Sequence, residues 1–231
     1  MEARNNLAVT HRRAGELERA QAALEEALFL DPDYAAGHFN LAEIYRARLA
    51  TGTEADQERW GRLAHEHYTQ ALLHGHDPEL VIERRGGLAL WVEDLETAEA
   101  DLLRITEDPD IDARVLYLLG RVKKQQGELR IAATLYDMAI SRGHDDAEVF
   151  SDLGEVRLRQ GNFEAAAQLL TQALERNPDL VVTRVNLCVV WVEQGDLTAA
   201  NEILRQAEAL DPESELVQRQ RDVLRQLGFE E

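Results

Sequence analysis

Cysteine is almost missing from this sequence. Its 231 residues hold one, Cys188, which rules out an internal disulfide framework and any multi-cysteine zinc site. Proline and glycine are sparse, at 5 and 14 residues, and so few breakers imply long regular elements with little loop between them. Long apolar runs are lacking as well. Leu187-Cys188-Val189-Val190-Trp191-Val192 falls far short of the ~20 residues that span a bilayer, so no membrane insertion is expected. Met1-Glu2-Ala3-Arg4-Asn5-Asn6 carries no apolar signal region, and the expected location is the cytoplasm.

What the chain has in excess is negative charge. Asp and Glu number 44 against 25 Lys and Arg, a formal net charge of −19. A nucleic-acid partner is therefore not expected, because phosphate binding needs Lys and Arg gathered on one face. Apolar residues make up 45%, enough to form a core and to exclude wholesale disorder.

The apolar residues recur with a long period. Ala20, Ala64, Ala98, Ala132, Ala166 and Ala200 are spaced by 44 residues once and then by 34. A second column follows seven residues later: Ala27, Ala71, Ile105, Ala139, Ala173 and Ala207. A third small-residue column precedes them, at Ala8, Ala42, Gly86, Gly120, Gly154 and Cys188, with Leu7, Leu41, Leu119, Leu153 and Leu187 just ahead of it. Gly15, Gly127, Gly161 and Gly195 mark a turn, while Pro32, Pro178 and Pro212 close repeats, with Pro78 and Pro109 slightly out of register. Small residues let two helices approach closely, the glycine supplies a left-handed C-cap, and the proline ends the second helix. Each repeat thus reads as helix–turn–helix, unable to bury its apolar face alone.

These columns resemble the tetratricopeptide repeat (TPR) pattern, most clearly in Asp152-Leu153-Gly154 through Pro178 and in Asn186-Leu187-Cys188 through Pro212. The resemblance implies an all-α fold, a right-handed superhelical solenoid with a C-terminal capping helix. It divides residues 1–231 into one solenoid of six repeats, 1–34, 35–78, 79–112, 113–146, 147–180 and 181–214, with the cap at 215–227. Two departures stand out. Repeat three has Arg85 in the leucine column and Ile105 in an alanine column, which predicts irregular packing. Repeat two has ten extra residues: Ala47-Arg48-Leu49-Ala50 can extend its first helix, and Thr53-Glu54-Ala55-Asp56 reads as a capping box starting a lengthened second one. Two long helices would then project near Trp60, as a tolerated insertion or as a contact surface.

The resemblance further implies a concave groove lined by the first helix of each repeat, with no catalysis and no cofactor. On the family pattern the groove takes Arg12, Arg13, Arg46, Arg114, Arg121, Lys124 and Arg159, against Glu2, Glu43, Glu83, Glu148, Glu155 and Glu193. Nearly all of the −19 then lies elsewhere. The expected function is a protein–protein interaction scaffold that holds a protein or peptide partner, an acidic segment being one candidate, at Arg12, Arg13, Arg46, Arg114, Tyr117, Arg121 and Lys124, with Phe39 and Trp91 as aromatic anchors. The bland alternative is that these cations pair with carboxylates on adjacent helices. The carboxylate clamp of chaperone-binding TPRs asks for Lys and Asn where this sequence has Asn5 and Val9, so that mode is not expected.

Repeat six shows a stripe, Val182, Val185, Val189 and Val192, to be covered either by the C-terminal segment or by a partner. The rival function is a homodimer or larger self-assembly through this stripe or through the repeat-two extension. Histidines cluster at His65, His67, His74 and His76 with His38 in the same repeat. His65 and His67 point ~200° apart on a helix, so they do not form a shared metal site. His67 and His74 fall on nearly the same face, yet surface or cap histidines are the plainer reading. No metal is expected, and no phosphate loop or nucleophile elbow is present.

Overall fold

The computed structural model describes residues 1–105 and 112–229; Pro109, near the end of repeat three, lies outside them. Thirteen α-helices run through these residues, without a strand. The chain forms two compact bodies that divide between residue 111 and Asp112, and each is described by itself. In the first, α1 (Glu2–Arg13) pairs with α2 (Leu17–Leu30), α3 (Ala35–Arg48) with α4 (Glu54–Leu73), and α5 (Pro78–Trp91) with α6 (Leu95–Leu103). In the second the pairs are α7 (Ala113–Gln125) with α8 (Leu129–Ser141), α9 (Ala147–Arg159) with α10 (Phe163–Arg176), and α11 (Val181–Glu193) with α12 (Leu197–Leu210); α13 (Glu215–Gln226) follows.

The alanine columns explain the pairing. All six members of the first column, from Ala20 to Ala200, are fully buried. Between them and the second column each second helix sends in one large side chain: Leu24, Tyr68, Leu102, Tyr136, Leu170 or Leu204, each at 0% exposure. Its seat on the first helix is the third column. A Cβ built on Gly86 would lie 2.9 Å from Leu102 Cγ, one on Gly120 2.6 Å from Tyr136 Cε1, and one on Gly154 2.7 Å from Leu170 Cγ. The helices of these hairpins are therefore as close as a missing side chain allows.

The turns follow from local chemistry. Gly161 closes α9 at φ 75°, its N–H reaching Leu158 O at 2.9 Å while Asn162 N–H reaches Arg157 O at 2.9 Å, a Schellman-type end. Asn162, Asp196 and Asp94 then cap the next helix by accepting from Ala165, Ala199 and Thr97 N–H. Repeat three lacks the glycine, and Glu93 occupies the left-handed region instead, at φ 61°. Its second helix, α6, stops at Leu103, so Ile105 lies beyond it.

The insertion lengthens one helix, which corrects the expectation of two. α3 has 14 residues, the same as α5, because a 3₁₀ turn at Leu49–Thr51 follows it with Leu49 buried. Thr53 and Asp56 form the capping box that starts α4, which runs for 20 residues. Trp60 does not project: it is half-buried against the core, near Gly52 and 5.8 Å from the Arg48 guanidinium.

α13 ends the chain as a cap. Val217 and Leu224 are buried in a cluster with Val185, Cys188, Leu204 and Ala207, joined by Val192 and Phe229. Arg221, on the same side, is buried and bonds Glu208 Oε2 at 2.9 Å and Asn201. No helix among the described residues is long and apolar enough to cross a membrane.

Candidate groove face

In the first body the groove side chains converge on one carboxylate. Glu43, on α3 and buried, accepts from Arg12 Nη1 at 3.2 Å, from Arg46 Nε at 3.1 Å and Nη2 at 3.0 Å, and from the Tyr68 hydroxyl. Burial pushes its pKa up, but the hydrogen bonds and charge of Arg46, the Tyr68 hydroxyl and the Arg84 charge outweigh that and hold it below the ordinary value. Burial also pushes the Tyr68 phenol upward, and the Glu43 charge adds to it. Arg84 sits 3.9 Å from Glu83. Next to Arg12 in sequence, Arg13 is exposed. Arg12, Arg46 and Arg84 thus lie around Glu43, with Arg84 also near Glu83 and Arg13 exposed at the end of α1. Trp91, at the end of α5, is 48% exposed. Phe39 is not open: its ring stacks on His76 at 4.4 Å and tilts against Tyr68 at 5.9 Å.

In the second body the cations are offset. Lys124 Nζ donates to Asp152 Oδ1 at 2.7 Å and Glu155 Oε2 at 2.8 Å. Arg121 lies 3.8 Å from Asp152, and Arg159 3.8 Å from Glu155. Tyr117 is half-buried between Tyr136 and His144, at 5.8 and 4.9 Å, with the Arg121 guanidinium 5.9 Å from its ring. Burial pushes the Tyr117 phenol upward, and the Asp152 charge pushes it further. Arg114 is exposed at the start of α7. Of the valines, Val182 is 52% exposed, Val185 is 7% exposed, Val189 is half-buried, and Val192 packs against the α13 cluster.

Models of the tetratricopeptide repeat match residues 1–34, 117–181 and 157–221. The chain belongs to the tetratricopeptide repeat family. Solved structures similar to this TPR chain agree in fold. The APC/C hetero-tetramer Cut9–Hcn1 aligns with TM-score 0.80 at 15% identity over 94% of this chain. This chain spans only 41% of the length of that one. PilF of Pseudomonas aeruginosa aligns at 0.79 with 20% identity over 96% of both chains. PilW, a type IV pilus biogenesis factor, aligns at 0.79 with 20% identity over 94% of this chain and 96% of that one. Among curated proteins none matches the sequence. A TPR array is a protein-interaction scaffold in general, and the family is typically non-catalytic.

Two parts of this TPR surface escaped the sequence reading. Asp152, the shared partner of Arg121 and Lys124, and Arg84 were not among its groove residues. A signal for the pairing existed in the spacing: Arg12 to Glu43 and Lys124 to Glu155 are both separated by 31 residues, which sets a residue of one first helix beside the next first helix. His38 and His67 are not the surface or cap histidines expected but the centre of a stacked column, with His38 buried. His38 donates from Nε2 to Pro32 O at 2.8 Å and accepts at Nδ1 from His67 Nδ1 at 2.9 Å. Tyr45 and His74 stack at either end, 5.7 Å from His67 and 6.0 Å from His38. Among the described residues no three His, Cys, Asp or Glu side chains group as a metal site. Burial pushes the Cys188 thiol up to about 11, so at neutral pH it is not a thiolate nucleophile.

Proposed function

We propose that this TPR protein is an interaction module whose first body holds an acidic segment of a partner protein on the α1–α3–α5 face. One observation supports the reading above the others: Arg12 and Arg46 share the single buried Glu43, with Arg84 beside it and Arg13 exposed next to Arg12. In a chain of net charge −19 that is a local cationic surplus, and Glu43 preorganises it by fixing two guanidinium groups before a ligand arrives. The exposed Trp91 offers an aromatic contact on the same body. The second body supports this mode less, because Arg121, Lys124 and Arg159 already have carboxylate partners. Self-association through the valine stripe would require Val185 and Val192 to leave the α13 cluster.

The test is fluorescence anisotropy with a labelled Glu- and Asp-rich peptide carrying one aromatic residue, compared with its Gln and Asn counterpart. The acidic peptide should bind, and its affinity should fall as salt rises. Arg13→Glu and Arg12→Glu should each weaken it by about tenfold or more. Equal binding of the two peptides, or binding that survives both reversals, overturns the proposal.

A further inference from the structure

The second feature of the first body that no groove reading uses is a cleft of about 480 Å³ between α4 and the corner of α5 and α6. Its floor is apolar: Gly61, Leu88 and Ala89, with Val92 as a wall that is 43% exposed. The reason the cleft exists is legible in the repeat. Three residues before each alanine of the first column stand Leu17, Leu95, Leu129, Phe163 and Leu197, half-buried against their neighbours; in repeat two the residue is Gly61. The large side chain that fills this seat in every other hairpin is missing here. Gly61 is itself buried, and a Cβ there would lie 3.2 Å from Val92 Cγ1, tighter than an ordinary contact. It is therefore the side chain of the exposed Val92, not backbone, that leans over the seat and must shift by a few tenths of an ångström for another side chain to enter.

The rim is acidic. α4 contributes Glu58 and Glu66, and Asp94, the N-cap of α6, lies across from them. Arg62 is the cation of the rim, 4.0 Å from Glu58 with both side chains extended into solvent, an arrangement worth little. Burial and the nearby Arg85 hold the rim residue His65 below its ordinary pKa, so it adds no charge at neutral pH. Glu93 and Glu96 are exposed at the same corner. Glu58 lies in the turns of α4 that precede Gly61, the part that the insertion adds. The insertion therefore builds one wall of the cleft as well as lengthening a helix.

We infer that this cleft is a second docking surface, one that takes a basic amphipathic segment of a partner protein. Aliphatic side chains one helical turn apart would enter the seat left by Gly61, and flanking Lys or Arg would meet Glu58, Glu66 and Asp94. This site and the cationic α1–α3–α5 face select ligands of opposite charge, so each can be tested without the other.

The probe is a labelled peptide of about 14 residues with two leucines four apart flanked by lysines; its control has both leucines replaced by serine at the same charge. Anisotropy with the whole chain should show the leucine peptide binding at least about tenfold more tightly than the control. Gly61→Leu, which restores the residue type of the other hairpins and displaces Val92, should abolish that difference with the helical circular dichroism of the chain retained. Glu58→Lys with Glu66→Lys, both exposed, should weaken binding by about tenfold or more. Reversing two exposed carboxylates of the other body, Glu175→Lys with Glu202→Lys, should leave it unchanged. Undetectable binding, equal binding of the two peptides, or equal losses from the cleft and control reversals overturns the inference.

Discussion

Arg85 occupies the leucine column, and the structure shows what keeps it there. It donates from Nε to Asp101 Oδ2 at 2.7 Å and from Nη2 to Oδ1 at 2.6 Å, and from Nη1 to Thr69 Oγ1 at 3.1 Å. Asp101 is buried. The corresponding pairs in the second body are apolar: Leu119 with Leu135, Leu153 with Leu169, and Leu187 with Ile203. A buried ion pair returns little beyond its desolvation cost, whereas breaking it strands a charge. Arg85→Leu alone should therefore destabilise by about 3–5 kcal/mol, and Arg85→Leu with Asp101→Leu should be neutral or more stable than the native chain. Urea denaturation of the two variants measures the difference. An additive pair of losses would show that the apolar pattern is not what this hairpin lacks. The sequence marked Arg85 as a departure, but its partner could not be read there: Asp101 is one of 44 acidic residues, and only the docked hairpin singles it out.

At the scale of a hairpin, α3 and α4 carry the histidine column, and its proton accounting is constrained. With Nε2–H of His38 given to a carbonyl, its Nδ1 keeps a lone pair for His67 Nδ1–H. An added proton is compatible with this bond only on His67 Nε2. Burial, and then the nearby His38, push the His67 pKa below its ordinary 6.5, with Glu66 and Glu25 acting weakly in the other sense. A histidine lowered on folding binds fewer protons folded than unfolded, so stability rises with pH across the interval. The contribution is complete above about pH 6.5 and is lost as pH falls from there toward the lowered folded value. The Glu43 carboxylate, also lowered, loses its contribution only further down, as pH falls below its ordinary 4.5. The urea midpoint should thus drop between pH 7 and pH 5, and His38→Leu with His67→Leu should flatten that drop. An unchanged slope would assign it to other groups. The repeat pattern located this hairpin and its capping box from spacing alone. It misjudged how the insertion is shared, because the 3₁₀ turn at Leu49–Thr51 depends on burying Leu49 in a tertiary contact.

On the scale of the whole molecule, the end of the array depends on α13. Cys188, the single thiol, is fully buried in the cluster that Val217 and Leu224 complete. Removing residues 215–231 should expose Val185 and Val192, speed alkylation of Cys188 by about tenfold or more, and promote self-association in sedimentation. A truncated chain with a slow thiol and no association would show that α11 and α12 close without the cap. Most of the fold was legible in the sequence, because a period repeated along the chain averages out local ambiguity and the small-residue columns must face one another. The groove charge was less legible. Composition counts Arg and Glu along a face, but whether Lys124 is available depends on Asp152 and Glu155 lying within 3 Å of it.

The third column also distinguishes repeats that their spacing makes look like copies. At Gly86, Gly120 and Gly154 the opposing side chain occupies the space a methyl group would take; at Ala8, Ala42 and Cys188 the first helix keeps its Cβ. The hairpins are therefore cut to different depths, and first and second helices are matched in pairs. Exchanging first helices between a glycine hairpin and an alanine hairpin would leave a clash in one and a void in the other. The array is regular in period and individual in fit, so its repeats are not interchangeable parts.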